Sequence, residues 1–131
     1  MLIINEEIEN GISKSKWHEG DRYDFKFQGR DAIVVVPQKA AAGNPWIWRP
    51  AFFDAFPAVD KALLERGFHV AYLDVTNDYA SPWAIELGNR FYKEMVENYG
   101  LSSKVVMEGF SRGGINSIVW ASRKPENVDC L

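Results

Sequence analysis

The sequence predicts an α/β domain: a mostly parallel sheet with helices on both faces and antiparallel strand structure at its N-terminal side. Three observations carry the prediction. Apolar, β-branched runs alternate with segments of helical periodicity from residue 30 onward, the order that builds parallel sheets through right-handed crossovers. Hydrophobic residues make up 47% of the 131 and charged residues 25%, the composition of one globular domain rather than a disordered chain. No apolar run approaches the ~20 residues that cross a bilayer.

In chain order, residues 1–20 are polar and weakly patterned, and are set apart from a domain over 21–131. Tyr23, Phe25 and Phe27 alternate with Asp24, Lys26 and Gln28, the period of a half-buried strand. Gln28 to Asp31 reads as a turn. Ala32 to Val36 is unbroken and apolar, as in a strand covered on both faces. Gln38 to Pro50, rich in Ala, Gly and Pro, reads as a long loop. A helix follows, with Phe56, Val59, Ala62 and Leu63 on one face and Gly67 as its stop. Phe68 to Val75 is another apolar strand. Ser81-Pro82 starts a helix, with Ser as N-cap and Pro at the first position. Leu87, Phe91, Met95 and Tyr99 recur every four residues before Gly100. Lys104 to Glu108 is a short strand. Ile115, Ile118 and Val119 mark a last helix, and Val128 to Leu131 opens one more strand.

Charge and cysteine content narrow the partners. With 15 Lys+Arg against 18 Asp+Glu the net charge is −3, so no basic surface argues for nucleic acid or an anionic membrane. A single cysteine, Cys130, forms neither an internal disulfide nor a zinc cluster. Met1 to Glu7 lacks the basic and apolar regions of a signal peptide. A cytoplasmic setting is the default expectation, with a secreted parent protein left open.

The chemistry concentrates at Gly109-Phe110-Ser111-Arg112-Gly113, a G-x-S-x-G sequence between a strand and a helix. A serine on so tight a turn needs small neighbours two positions away on each side, and Gly109 and Gly113 supply them. The turn raises the hydroxyl over the carboxyl edge of the sheet. It aims the Arg112 N–H at the space where an oxyanion forms, by the positive end of the helix. The alternatives are an ordinary serine on a Gly-rich turn and an anion site at the helix start.

With Asp24 to Arg30, Gly43 to Arg49, Gly67 to Val75 and Glu108 to Gly114, the chain from about Asp21 onward resembles the α/β-hydrolase family. Within it the chain resembles a bacterial, esterase-like branch associated with carbohydrate breakdown. The resemblance implies the N-terminal half of an α/β-hydrolase domain, a serine nucleophile at Ser111, an acyl-enzyme intermediate on an ester or sugar-ester substrate, and no cofactor. It places the second oxyanion N–H in the loop after Ala32–Val36, here Gln38–Arg49, with Trp46 as the candidate donor.

A serine needs a base, and the base an orienting acid. In this family the order is Ser, then Asp or Glu, then His. The 20 residues after Ser111 hold Glu126 and Asp129 but no histidine, and both histidines, His18 and His69, precede it. His69 reads as a core residue and His18 as a surface one. The sequence therefore carries the nucleophile without acid or base, and the isolated chain is expected to be inactive. A catalytically inert binding or assembly module that keeps the turn as architecture is the alternative. Trp48 and Arg49 are candidate substrate contacts, by ring stacking and by anion binding. Glu108 is a third, or else an ion-pair partner of Arg49 or Arg112. Asp74 is expected to bond to the backbone of its turn, and Asn77 to Tyr79 could line a pocket. The Lys104–Glu108 strand is expected to form an exposed sheet edge that invites homo-oligomers.

Overall fold

The computed structural model describes residues 11–131. One seven-stranded sheet runs β1 (Ser13–Trp17), β2 (Gly20–Phe27), β3 (Arg30–Val36), β4 (Trp46–Arg49), β5 (His69–Leu73), β6 (Val105–Met107) and β7 (Val128–Cys130) in chain order. Its spatial order is β1-β2-β3-β5-β4-β6-β7. The first three strands are antiparallel and β3 meets β5 antiparallel, whereas β5, β4, β6 and β7 are parallel. The helices are α1 (Ala58–Glu65), α2 (Pro82–Lys93) and α3 (Arg112–Arg123).

The expected polar segment 1–20 lies partly outside the described residues. Its second half is corrected: residues 13–17 pair with 20–24 as a hairpin that seats Trp17 in the core. At the next hairpin only Gln28 and Gly29 turn the chain, both at positive φ (50° and 80°). That is the two-residue loop whose twist matches the flanking strands.

β3 is buried on both faces, as its unbroken apolar run requires. Ala32 and Val34 join one core cluster, Ile33 and Val35 the other. The larger cluster packs α2 and α3 against the sheet through Leu87, Phe91 and Trp120, and the smaller holds Leu64 of α1. Helices thus cover both faces.

α2 starts as read: the Ser81 hydroxyl accepts from the Ala84 N–H at 3.2 Å, with Pro82 at the first position. Leu87, Phe91, Met95 and Tyr99 are all buried. Four-residue steps overrun a 3.6-residue turn by ~40° each. The wider turn at Glu94–Asn98, a π-helical segment, keeps Met95 and Tyr99 on the sheet side.

Three expectations are corrected. Residues 46–49 are not loop but the strand β4, bracketed by Pro45 and Pro50, at the heart of the sheet. α1 buries Asp60 and Leu64, not the predicted face: Phe56 and Val59 are exposed. The Lys104–Glu108 strand is not an edge, because β4 and β7 flank it and the edge is β7.

Candidate active site

Ser111 stands between β6 and α3, exposed, with φ 56° and ψ −124°. A side chain at positive φ is strained for any residue but glycine. The surroundings impose it. A Cβ on Gly109 would lie 2.5 Å from Gly114 Cα, and one on Gly113 would lie 3.0 Å from Ala51 Cβ. Gly109 is therefore required by contact and Gly113 is tightly fitted, in line with their spacing around the serine. α3 starts at Arg112. The first N–H groups of an α-helix have no partner within it, so the Arg112 N–H is a donor beside the Ser111 hydroxyl.

The loop joining β4 to α1 faces this turn, because β4 and β6 are parallel neighbours whose carboxyl ends meet. Phe52 and Phe56 pack on Phe110, with ring centroids 5.8 and 5.2 Å away. Phe52, Asp54 and Phe56 all have positive φ. One guanidinium holds this irregular loop. Arg49, 1% exposed, donates through Nε to Ala51 O at 3.2 Å, through Nη2 to Ala55 O, and through Nη1 to Asp60 Oδ2 at 2.7 Å. Its Nη1 is also 3.9 Å from Glu108 Oε1. The Glu108 carboxyl is pushed up to about 8, first by burial and then by hydrogen bonding to Asp60 and by its charge, with Arg49 opposing.

The Arg112 side chain reaches the segment after β5. Its Nη1 donates to Asn77 Oδ1 at 2.8 Å and to Tyr79 OH at 3.1 Å, and its guanidinium lies over the rings of Phe52 and Tyr79. Phe52 and Asn77 also border a cavity of about 690 Å³, whose other walls include Phe53, Tyr72 and Asp74. Asp74 bonds the Thr76 N–H at 3.2 Å, the turn role expected of it.

The remaining predicted site residues are placed elsewhere. Trp46 is at the amino end of β4, paired with His69, and its Nε1 donates to Ser102 O at 2.8 Å. It stands at the opposite rim from Ser111, so it is no oxyanion donor. The strand that precedes the loop packed on the Ser111 turn is β4, not β3. Trp48 is buried between Trp46, Phe91 and Trp120 and meets no solvent. Arg49 is enclosed by its loop and Asp60. Neither offers a surface to substrate. Glu108 faces the Arg49–Asp60 pair rather than Arg112. Both histidines are likewise remote. His69 begins β5, buried, with Nδ1 3.3 Å from Pro45 O, and burial depresses its basicity. His18 is exposed at the β1–β2 turn, near the carboxyl end of the antiparallel β3. Both occupy the rim away from Ser111.

Sequence reasoning missed Asp60 and the loop 50–57. The available signal for Asp60 was its place four residues before Leu64 on a helix, which puts an acid on the core side.

No family model matches the sequence, and no curated protein matches it. Solved structures do. Candida antarctica lipase A in its closed state superposes with TM-score 0.62 at 15% identity over 97% of this chain and 43% of its own. An epoxide hydrolase from Vigna radiata gives 0.58 at 15% over 87% and 40%. A CIB-like hydrolase from Thermoplasma acidophilum gives 0.55 at 13% over 91% and 61%. The chain thus has the α/β-hydrolase fold in part, and spans about two-fifths of the length of the first two structures.

Proposed function

We propose that Ser111 is the nucleophile of a serine hydrolase acting on carboxylic esters, completed by chain beyond these 131 residues. The observation that carries the reading is the exposed serine held at positive φ between β6 and α3, at the carboxyl rim of the sheet. Its Oγ attacks the ester carbonyl carbon while a base takes the hydroxyl proton. The carbonyl oxygen becomes an oxyanion, stabilised by the Arg112 N–H. The alcohol leaves with the proton, and water then releases the acid from the acyl-serine. The second donor comes from the loop after β4, where the Phe52 backbone turns at φ 54° against the nucleophile turn. Neither histidine stands at this rim, so acid and base are supplied from outside this segment. The cavity bordered by Phe52, Asn77, Tyr72 and Asp74 is not lined by Ser111 itself but meets its turn through Phe52, which packs on Phe110, and Asn77, which accepts from Arg112. Its aromatic and polar walls suit a hydroxylated alcohol such as a sugar.

Treating the intact protein with a fluorophosphonate probe tests this. Labelling at Ser111 that vanishes in Ser111→Ala is the expected result. The absence of an imidazole near Ser111 favours a second reading, an inert module that keeps the turn as architecture. An unlabelled serine in the intact protein would establish that reading and remove the first.

A further inference from the structure

Arg49, Asp60 and Glu108 form a cluster on the α1 side of the sheet that the hydrolytic steps do not use. Arg49 and Asp60 side chains are 1% and 0% exposed, Glu108 18%. Two ionised carboxylates around one guanidinium would leave a net negative charge in the interior, which is strongly unfavourable. The hydrogen-bond pattern shows the same imbalance. One oxygen of each acid, Asp60 Oδ1 and Glu108 Oε2, is buried without a donor among the described residues. A single proton between the carboxyls would neutralise the cluster and supply a donor where the acids now lack one.

We propose that Glu108 is a positioning residue: it keeps its proton at neutral pH, donates it in a hydrogen bond to Asp60, and so ties the Ser111 turn to the Arg49-held loop. The two ends of that tie are fixed. The Glu108 N–H donates to Trp48 O at 3.0 Å, and the Ser117 hydroxyl donates to Glu108 O at 2.8 Å. Glu108 therefore joins β4, α3 and, through its side chain, α1. Arg49 continues the connection to Ala51 and Ala55, on either side of Phe52. The charged groups acting on Glu108 are Asp60 of α1 and Arg49 of β4. α3 contributes the neutral Ser117, and Asp129 and Cys130 of β7 are exposed. Burial and the adjoining Asp60 carboxylate, which hold the Glu108 proton on up to about pH 8, agree with the geometry.

The catalytic consequence rests on the hydrolase reading, whereas the shared proton does not. Infrared spectra of the intact protein read the proton directly. A protonated-carboxyl C=O band at neutral pH, lost in Glu108→Gln and lost on raising the pH past about 8, is expected. No such band, or one that persists in Glu108→Gln, overturns the proposal. Fluorophosphonate labelling of Ser111 reads the consequence. Its rate in the wild type should fall roughly tenfold, relative to Glu108→Gln, between about pH 7 and about pH 9, as one group ionising near 8 requires. Glu108→Gln, which keeps a donor for Asp60, should label at close to the wild-type neutral rate, and Glu108→Ala should be slow throughout. Equal pH profiles for wild type and Glu108→Gln overturn the positioning role. If Ser111 is unlabelled in every variant, the hydrolase reading fails, and the infrared band alone decides the shared proton.

Discussion

At the scale of the residue, the glycines around Ser111 make opposite predictions from one motif. Gly109→Ala sets a Cβ 2.5 Å from Gly114 Cα, backbone against backbone. Neither partner can yield, so the variant should be strongly destabilised and lose probe labelling at Ser111. Gly114 has nothing closer than 4.0 Å to such a Cβ and lies in the first turn of α3. Gly114→Ala should therefore keep the fold and gain up to about 1 kcal/mol from helix propensity. Urea unfolding of both variants separates them. Asp60→Ala removes the carboxylate bonded to Arg49 and leaves the guanidinium only the Glu108 carboxyl 3.9 Å away, at an expected cost of about 3 kcal/mol in the same measurement. His69 sets an acid limit. Burial lowers its folded pKa below the ordinary 6.5. As the pH falls below 6.5, the unfolded chain takes up a proton that the folded state refuses. The stability His69 contributes is thus present above 6.5 and is lost as the pH falls through the folded value. Thermal midpoints should decline in acid, and less so for His69→Gln.

Among the elements, α2 was the most legible and β4 the least. The Ser81-Pro82 start is a local signal with a local mechanism, and the structure repeats it atom for atom. Ser81→Ala should cost about 1 kcal/mol, read by thermal or urea unfolding, because the Ala84 N–H loses its acceptor. β4 has only four residues, too few to show a period, and its flanking prolines and the nearby Gly43 resemble a loop. What makes it a strand is non-local: parallel partners on both sides, β5 and β6, and burial of both its faces. Misreading it displaced every site residue assigned to that stretch, since the loop near the serine follows β4 instead of preceding it. α1 failed for a related reason. Its apolar residues sit at helical spacing, yet the pairing of Asp60 with Arg49, eleven residues away in sequence, turns the other face inward. The serine turn was legible because steric demand at a tight bend is written in adjacent glycines.

For the molecule as a whole, the parallel half of the sheet ends at β7, a three-residue strand whose outer side pairs with nothing among the described residues. Ile118 of α3 and Leu131, which follows β7, are exposed and line one shallow pocket, and Ile115 of α3 is exposed as well. A row of free backbone groups next to apolar side chains favours association. The 131 residues produced alone should therefore self-associate in size-exclusion chromatography with light scattering. Ile118→Lys should shift the distribution toward monomer, and a sharp monomer peak for the unaltered chain would sink the expectation. None of the helices among the described residues is long and apolar enough to cross a membrane.

The aromatic packing of the larger core has a practical use. Trp46 and Trp48 of β4 lie together with Trp120 of α3, with Trp48 touching both of the other indoles. Of the remaining two, Trp17 belongs to the opposite face and Trp83 is half exposed. Ultraviolet emission from this protein is thus weighted toward a single layer. It should redden when that layer loosens, so an optical signal already built into the chain reports the opening of the helix-covered face that holds the three indoles.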